Sequence, residues 1–239
     1  MTRSTMLIGE DGVVRLASCR VAVFGLGGVG GYATEALARS GIGALDLVDG
    51  DVVAPSNLNR QLIALRGTIG QSKAALMAQR VREINPDIRV RAEHLFYTAD
   101  TADAFDLTDY DYVLDCVDMV SAKVELAVRT AALGVPLISA MGAGNKLDPT
   151  CLRAGDLFDT TVCPLARVMR RELRARGITR LSVIYSTEVP RHPHPTNDGE
   201  YPLADSPARR ATPGSMVFVP GAMGLAMASY VVQALLHSR

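Results

Sequence analysis

A glycine-rich turn constrains the fold of this chain more than any other feature of its sequence. The segment Gly25-Leu26-Gly27-Gly28-Val29-Gly30 follows a short apolar run at residues 21–24, and residues 28–39 have the pattern of a helix. The GxGxxG spacing in this context allows a tight turn, close approach of the backbone to a phosphate, and close packing of the helix on the sheet. The helix N-terminus adds unpaired N–H donors and the positive end of the helix dipole. The motif predicts an adenine-nucleotide site, without separating NAD from ATP.

The first half of the chain alternates apolar strand patterns with helical patterns. Such alternation implies right-handed crossovers and a mostly parallel sheet covered by helices on both faces. We therefore predict an α/β fold, a Rossmann-like doubly wound sheet that is mostly parallel, with a less regular C-terminal extension. The later strands are predicted at residues 44–48, 88–90, 112–116 and 136–140, and the later helices at 72–84 and 121–133.

The second half is less regular, and we expect it to elaborate a single domain that spans residues 1–239. A nucleotide-binding core would occupy residues 1–150 and a substrate-side extension residues 151–239. Within the extension we predict a helix at 165–176, a strand at 181–185 and a mobile loop at 189–213, which contains six prolines.

The apolar stretch at residues 217–236 has the length of a membrane span. Pro220, Gly221 and Gly224 interrupt its start, and polar residues are scattered through the rest. We therefore predict a strand that turns into a buried core helix, and no association with a membrane.

Charge and cysteine content narrow the classes of function. The chain has 25 basic and 25 acidic residues, so any contact with nucleic acid requires a local basic patch. Its four cysteines form no CxxC pair, which argues against a zinc ribbon. Arg3, Glu10 and Asp11 interrupt any apolar run near the N-terminus, so we predict no signal peptide and a reducing, cytoplasmic location.

Three charged residues beyond the glycine turn suit a bound triphosphate. Asp49 lies nineteen residues after Gly30, at the end of the next predicted strand, where a carboxylate can accept from ribose hydroxyls. Arg60 and Lys73 follow, and Lys73 is one of only three lysines, with Lys123 and Lys146. Two cations directed at one pocket would stabilise the charge that builds on the α-phosphate during attack. For both cations a solvated surface position is the alternative.

The segment Asp115-Cys116-Val117-Asp118 closes the fourth predicted strand. In this architecture, ligands bind at the carboxyl edge of the sheet, where Asp118 could hold a Mg²⁺ ion that bridges phosphates. A second interpretation makes Asp118 the N-cap of the following helix, and the residues alone leave both open.

Taken together, these motifs resemble the ubiquitin-activating-enzyme-like superfamily of adenylating enzymes. Along nearly the whole chain the sequence is similar to one of its families, the tRNA threonylcarbamoyladenosine dehydratases. The matching segments are residues 25–30, 49–51, 56–61, 70–73, 84–86, 115–118, 142–149, 162–166 and 213–215.

The resemblance implies roles for particular residues, with ATP and Mg²⁺ as cofactors. Asp118 would bind the Mg²⁺ ion, and Arg60, Lys73 and Asp118 would be the catalytic residues. Arg3 matches an arginine that in related enzymes reaches the nucleotide of the partner subunit, which implies a homodimer. A cysteine-desulfurase or sulfur-acceptor partner is also implied. The nucleotide-binding set would be Gly25, Gly27, Gly28, Gly30, Asp49, Asp51, Asn57, Asn59, Arg60, Gln61, Lys73 and Arg3.

The leading hypothesis is ATP-dependent cyclisation of threonylcarbamoyladenosine in tRNA through an acyl adenylate. Adenylation of the C-terminus of a sulfur-carrier protein is a second hypothesis, although such activators usually carry two CxxC pairs. An NAD-dependent oxidoreductase is a third, and it leaves Arg60, Lys73 and Asp118 without a role. A non-catalytic nucleotide-gated scaffold in sulfur transfer is a fourth. Cys163 is the candidate thiol, although a buried structural cysteine is the better interpretation.

A basic segment suggests where tRNA could bind. Residues 166–180 contain six arginines and one glutamate, a local excess of five positive charges in a chain with no net charge. Leu165, Val168, Met169 and Leu173 form the predicted core stripe, so the arginines should project elsewhere. A track for RNA phosphates and an ordinary solvated face are both consistent with this pattern.

Overall fold

The computed structural model describes residues 2–194 and 213–237, and its centre is a seven-stranded sheet. The strand order is β3-β2-β1-β4-β5-β7-β6, with β6 antiparallel to β7 and every other pair parallel. The strands are β1 (Arg20–Phe24), β2 (Ala44–Val48), β3 (Arg89–Glu93), β4 (Tyr112–Asp115), β5 (Leu137–Ala140), β6 (Leu152–Asp156) and β7 (Ser182–Ser186). The predicted α/β fold is confirmed.

Six α-helices cover the two faces of the sheet. Alternate residues of β1 point to opposite faces, so Val23 joins one apolar cluster and Phe24 the other. The first cluster includes side chains from helices 1, 2, 3 and 6, and the second includes side chains from helices 4 and 5. The helices are α1 (Thr2–Ser18), α2 (Gly30–Ser40), α3 (Lys73–Ile84), α4 (Val120–Leu133), α5 (Pro164–Arg174) and α6 (Phe218–His237).

The strand order reverses beside β1, and this reversal positions the site. The chain runs from β1 outward to β2 and β3, then returns to place β4 on the other side of β1. In this register Phe24 pairs with both Val48 and Asp115. The loops that follow β1, β2 and β4 therefore emerge side by side at the carboxyl edge, which is where open α/β sheets bind ligands.

The C-terminal apolar stretch differs in part from its prediction. It contains no initial strand, because α6 begins at Phe218 and Pro220 lies in its first turn, where the missing N–H costs little. A side chain at Gly224 would overlap the backbone carbonyl of Val29, so this glycine allows α6 to pack closely on the start of α2. Among the described residues α6 is the one helix long and apolar enough to cross a membrane, and half of its apolar window is buried inside the protein.

One α-helix and one strand were not predicted from the sequence. Helix α1 is interrupted at Gly9, whose φ of 74° is not helical, and most of its residues are exposed. Strand β6 lies at the edge of the sheet. Most of the predicted loop at 189–213, namely residues 195–212, lies outside the described part of the chain.

Candidate nucleotide-binding and catalytic site

The four glycines of the turn divide into two pairs. Gly25 has a φ of 85°, and a Cβ atom on it would lie 2.7 Å from the carbonyl oxygen of Cys116. A Cβ on Gly30 would overlap the carbonyl oxygen of Gly25. By contrast, a Cβ on Gly27 would come no closer than 3.6 Å to another residue, and one on Gly28 no closer than 3.3 Å. Gly25 and Gly30 are required by the fold, whereas Gly27 has space at its Cβ position. Gly27 and Gly28 are both only partly buried, so their backbone is accessible to a ligand.

Asp49 fixes this turn from the end of β2. One carboxylate oxygen accepts from the Leu26 N–H at 2.6 Å, and the other accepts from the Asp51 N–H at 2.8 Å. Burial raises the pKa of the Asp49 carboxyl, although the two N–H donors and Lys73 oppose the shift. Each oxygen keeps a further lone pair, so the predicted contact with ribose stays open.

Lys73 begins α3 with its side chain buried. Its ammonium group donates to Asp51 Oδ2 at 2.9 Å, and its backbone N–H donates to the Asp51 carbonyl at 3.1 Å. Ser72 caps the helix by accepting from the Ala75 N–H. Since the Asp51 side chain is 53% exposed while Lys73 is 6% exposed, the pair holds a fixed cation at the border of the site.

The segment between β2 and α3 carries the remaining predicted ligands, and its turn is built by Asn57. The side-chain oxygen of Asn57 accepts from the Ala54 N–H at 3.1 Å, and its backbone carbonyl accepts from the N–H groups of Arg60 and Gln61. Asn57 therefore shapes the backbone that presents Arg60, a structural role that the sequence did not reveal.

Arg60 lies against the glycine turn. Its Cγ would be 3.5 Å from a Cβ on Gly28, and its guanidinium donates to the Ser56 carbonyl at 2.7 Å and to Asn59 Oδ1 at 3.2 Å. The side chain is half-buried and oriented by neutral acceptors, so its charge is not neutralised by a carboxylate among the described residues. It is available to a phosphate.

Gln61 also contacts the turn. It is buried beside Gly27, and its Oε1 has no hydrogen-bond partner. A buried acceptor without a donor is costly, so this atom suits a donor brought by a ligand or a water molecule.

Asp118 lies just beyond β4, exposed, and its carboxylate makes no hydrogen bond or ion pair with another described residue. It is not a helix cap, because the N-cap of α4 is Met119, which provides no side-chain bond. The N-cap interpretation is therefore wrong.

Beneath Asp118 lies a buried polar network that sequence reasoning missed. Asp115 accepts from Ser139 Oγ at 2.5 Å, from Lys123 Nζ at 3.1 Å and from the Val117 N–H at 3.2 Å. Lys123 also donates to the Ala140 carbonyl at 2.8 Å. These bonds tie the carboxyl ends of β4 and β5 together and fix the backbone that leads to Asp118.

An aromatic ring beside Asp49 was also missed. A Cβ on Gly50 would lie 2.6 Å from the ring of Phe96, which is 54% exposed. The ring therefore covers the backbone after β2 and offers a flat apolar surface at the site. Phe96 lies in the apolar run Leu95-Phe96-Tyr97, and the sequence gives no sign that this ring, unlike that of Tyr97, is exposed.

The C-terminal part of the chain reaches the site at Ser215, whose carbonyl accepts from Asn59 Nδ2 at 2.8 Å. Asn145, which has a φ of 58°, holds the same segment through paired bonds of 2.7 Å to the Gly214 N–H and carbonyl. Residues after β5 and before α6 thus border the predicted phosphate region.

Two predicted residues lie outside this cluster. Arg3 is exposed near the start of α1, and its guanidinium makes no hydrogen bond or ion pair with another described residue. Cys163 is buried at the start of α5, which supports the structural interpretation of this thiol. Within the described ranges, no three His, Cys, Asp or Glu side chains converge into a metal site.

Comparison with known proteins identifies the family. A model of the ThiF family matches residues 1–239. The chain is 42% identical over 238 residues to a tRNA threonylcarbamoyladenosine dehydratase of Bacillus subtilis, covering 98% of this chain and 94% of that protein. It is 38% identical over 201 residues to the Escherichia coli protein of the same name, covering 81% of this chain and 74% of that protein.

Comparison with solved structures points to the same family. The E. coli tRNA N6-threonylcarbamoyladenosine dehydratase in complex with AMP matches with a TM-score of 0.88 and 33% identity, over 99% of this chain and 93% of that one. The same enzyme in complex with ATP matches with a TM-score of 0.87 and 32% identity, over 98% and 93%. This chain belongs to the ThiF family and, within it, to the family of the tRNA threonylcarbamoyladenosine dehydratases.

Proposed function

We propose that this protein uses ATP to dehydrate threonylcarbamoyladenosine in tRNA, closing the threonyl carboxylate into a ring through an acyl adenylate. One observation carries the proposal. An arginine oriented by neutral acceptors lies against a glycine turn that leaves its backbone accessible, in a chain whose relatives carry this activity in their names. The E. coli relative has been solved with both AMP and ATP.

The carboxylate must be activated because its leaving group would otherwise be oxide or hydroxide. A carboxylate oxygen of the substrate attacks the α-phosphorus of ATP, and the bond from that phosphorus to pyrophosphate breaks. A nucleophilic atom of the same modification then loses its proton and attacks the activated carbonyl carbon. AMP leaves with the carboxylate oxygen, so the tRNA loses the atoms of one water.

Charged groups of the protein stabilise the transition state of the first step, the adenylation. In the second step, ring closure, the protein mainly holds the reacting groups of the substrate close together. Negative charge develops at the α-phosphate, where Arg60 and Lys73 supply preorganised positive charge. Asp49 keeps the glycine turn in place through Leu26. Ring closure is effectively unimolecular, because both reacting groups belong to the same modified nucleoside. The reaction therefore needs no catalytic nucleophile with an adjacent general base from the protein.

A magnesium ion fits the donor set at Asp118. Mg²⁺ is usually held by one or two carboxylates together with substrate phosphates and water. Asp118 is an exposed carboxylate with no competing partner among the described residues, at the edge where the glycine turn lies. When bound, the ion would neutralise charge on the phosphates.

We also propose that the active form is a homodimer, in which Arg3 of each subunit reaches the nucleotide of the other. In the single chain Arg3 is exposed, and Met6 and Leu7 on the same helix are 81% and 85% exposed. Exposed apolar side chains of this kind are typical of a surface that another subunit covers. A tRNA substrate implies work in the cytoplasm, and a cysteine-desulfurase system is a further proposed partner.

The alternative functions can be distinguished by identifying the substrate that AMP release requires. With ATP and Mg²⁺, we expect AMP only when tRNA carries threonylcarbamoyladenosine, and none with an unmodified transcript. AMP release that required a small carrier protein instead would favour the adenylation of a protein C-terminus. Preferential binding of NADH over ATP would favour the oxidoreductase.

A further inference from the structure

Helix α5 presents two contrasting faces. Ala166, Met169 and Leu173 are buried in the apolar cluster that this helix shares with α4. The opposite face is a stripe of three exposed arginines at i, i+4 and i+7, which we call the arginine stripe: Arg167, Arg171 and Arg174. With a rise of 1.5 Å per residue, the stripe extends over about 10 Å.

The stripe keeps most of its charge available. The Arg167 guanidinium has no partner among the described residues. Arg171 pairs with Glu172 at 2.7 Å, yet its side chain is 76% exposed. Arg174 lies over the ring of Phe158, 5.3 Å from the centroid, which orients the side chain without neutralising it.

Arg170, the remaining arginine within the first turns of α5, has a structural role. Its guanidinium donates to the Thr160 carbonyl at 2.8 Å and to the Thr160 hydroxyl, so it holds the turn that precedes the helix. The sequence pattern placed Arg170 on the projecting face with the others, and in this respect the prediction was wrong.

The stripe starts near the site. A Cβ on Gly142, in the loop after β5, would lie 3.4 Å from Cys163 Sγ and 3.7 Å from the Leu165 side chain. The N-terminal end of α5 therefore adjoins the carboxyl edge of the sheet, where the glycine turn also lies. Within the stripe, Arg167 is the residue nearest to that edge.

We infer that the arginine stripe binds backbone phosphates of the tRNA and thereby guides the modified nucleotide to the nucleotide site. This inference rests on the proposed function. The chain carries no net charge, so RNA binding needs a concentrated patch, and residues 166–180 hold an excess of five positive charges. Guanidinium groups in a row suit phosphates, which they bind through paired hydrogen bonds.

The test compares the salt dependence of tRNA binding in the full-length protein and its variants. The triple variant Arg167→Gln, Arg171→Gln, Arg174→Gln should flatten the slope of log affinity against log salt by about one unit for each phosphate that the replaced arginines bind. Arg89→Gln is the matched control. Arg89 is exposed at the amino end of β3, an outermost strand of the sheet, and so lies away from the carboxyl edge that adjoins α5. Its slope should equal that of the wild type.

A variant that removes a negative charge tests whether the weaker tRNA binding of the triple variant comes from charge or from altered folding. Glu172 pairs with Arg171 and Arg176, so Glu172→Gln frees both cations and should tighten tRNA binding at low salt. ATP affinity, measured in parallel, should be unchanged in every variant, which shows that each is folded. Equal slopes for the triple variant and the wild type would overturn the inference.

The two proposals fail in different ways. Wild-type protein that binds tRNA through the stripe but forms no cyclic nucleoside would support the stripe and contradict the proposed dehydration. Wild-type protein that dehydrates tRNA while the triple variant binds and reacts normally would leave the function supported and overturn the stripe. Binding of an acidic peptide in preference to tRNA would also overturn it.

Discussion

The three lysines of this chain are all buried, each with a defined set of partners. Lys73 pairs with Asp51, and Lys123 pairs with Asp115 in a network that includes a carbonyl. Among the described residues, Lys146 donates to the carbonyls of Gly142 and Ser186, and burial lowers the pKa of its ammonium group. A buried charge needs such partners. The lysines thus serve as fixed internal cations, while arginine provides most of the positive charge at the surface.

Arg60 should carry the largest single contribution to the chemistry. Replacing Arg60 by Ala should lower kcat by about 10²–10³, the usual cost of losing one preorganised charge donor. Arg66→Ala, at an exposed arginine of the same connecting segment, should leave kcat within a few-fold of the wild type. Equal rates for the two variants in a steady-state AMP assay would remove Arg60 from the site.

Asp49 predicts a pH dependence of ATP binding. The carboxylate must be ionised to accept strongly from Leu26 and Asp51, and burial raises its pKa above the ordinary 3.8. Acidification should therefore weaken ATP binding at a higher pH than a solvated aspartate would require. Asp49→Asn should bind ATP more weakly at pH 7 and lose this acid dependence.

The control for this experiment is Asp87→Asn, at an exposed aspartate in the turn before β3. Its titration of ATP affinity should overlay that of the wild type. An unchanged acid limb in the Asp49 variant would show that another group titrates.

At the level of elements, the glycine turn separates stability from binding. Gly30→Ala should destabilise the fold by about 1–3 kcal/mol or more, the cost of overpacking, because its Cβ would overlap the Gly25 carbonyl. Gly27→Ala meets no such obstacle and should leave Tm unchanged. It should weaken ATP binding by about tenfold or more, since its Cβ would occupy the space that we propose for a phosphate. Unfolding curves and ATP titrations of both variants check this. A Gly27 variant that binds ATP normally would place the phosphates elsewhere.

The sequence predicted those elements whose signal is local. Strand β2 was predicted with its observed bounds, because four of its five residues are apolar and glycines lie just before and after it. The glycine turn and Asp49 were likewise found from spacing alone. These elements position the core of the candidate site.

The sequence did not reveal features that are exposed to solvent or that join residues far apart in the chain. Edge strand β6 has mostly exposed residues and no apolar alternation. The bond from Asn59 to Ser215 joins residues 156 positions apart. The orphan acceptor on Gln61 and the tether of Arg170 depend on side-chain placement, which periodicity does not encode.

At the level of the whole molecule, the homodimer proposal predicts complementation between subunits. Arg3→Ala and Arg60→Ala should each be nearly inactive alone, because Arg3 would act on the nucleotide of the other subunit. Mixed after dissociation and reassociation, they should recover about a quarter of wild-type activity, since half of randomly paired dimers are mixed and each holds one complete site. No recovery in the mixture, with dimers confirmed by light scattering, would contradict a shared site.

The transfer of the substrate's own oxygen tests the central claim most directly. The tRNA would carry threonylcarbamoyladenosine labelled with ¹⁸O in the threonyl carboxylate, and mass spectrometry would follow the label after reaction with ATP and Mg²⁺. We predict that the nucleoside becomes lighter by the mass of one labelled water. One ¹⁸O atom should appear in AMP and none in pyrophosphate. Label in inorganic phosphate, or AMP formed without label, would contradict activation of the carboxylate at the α-phosphate.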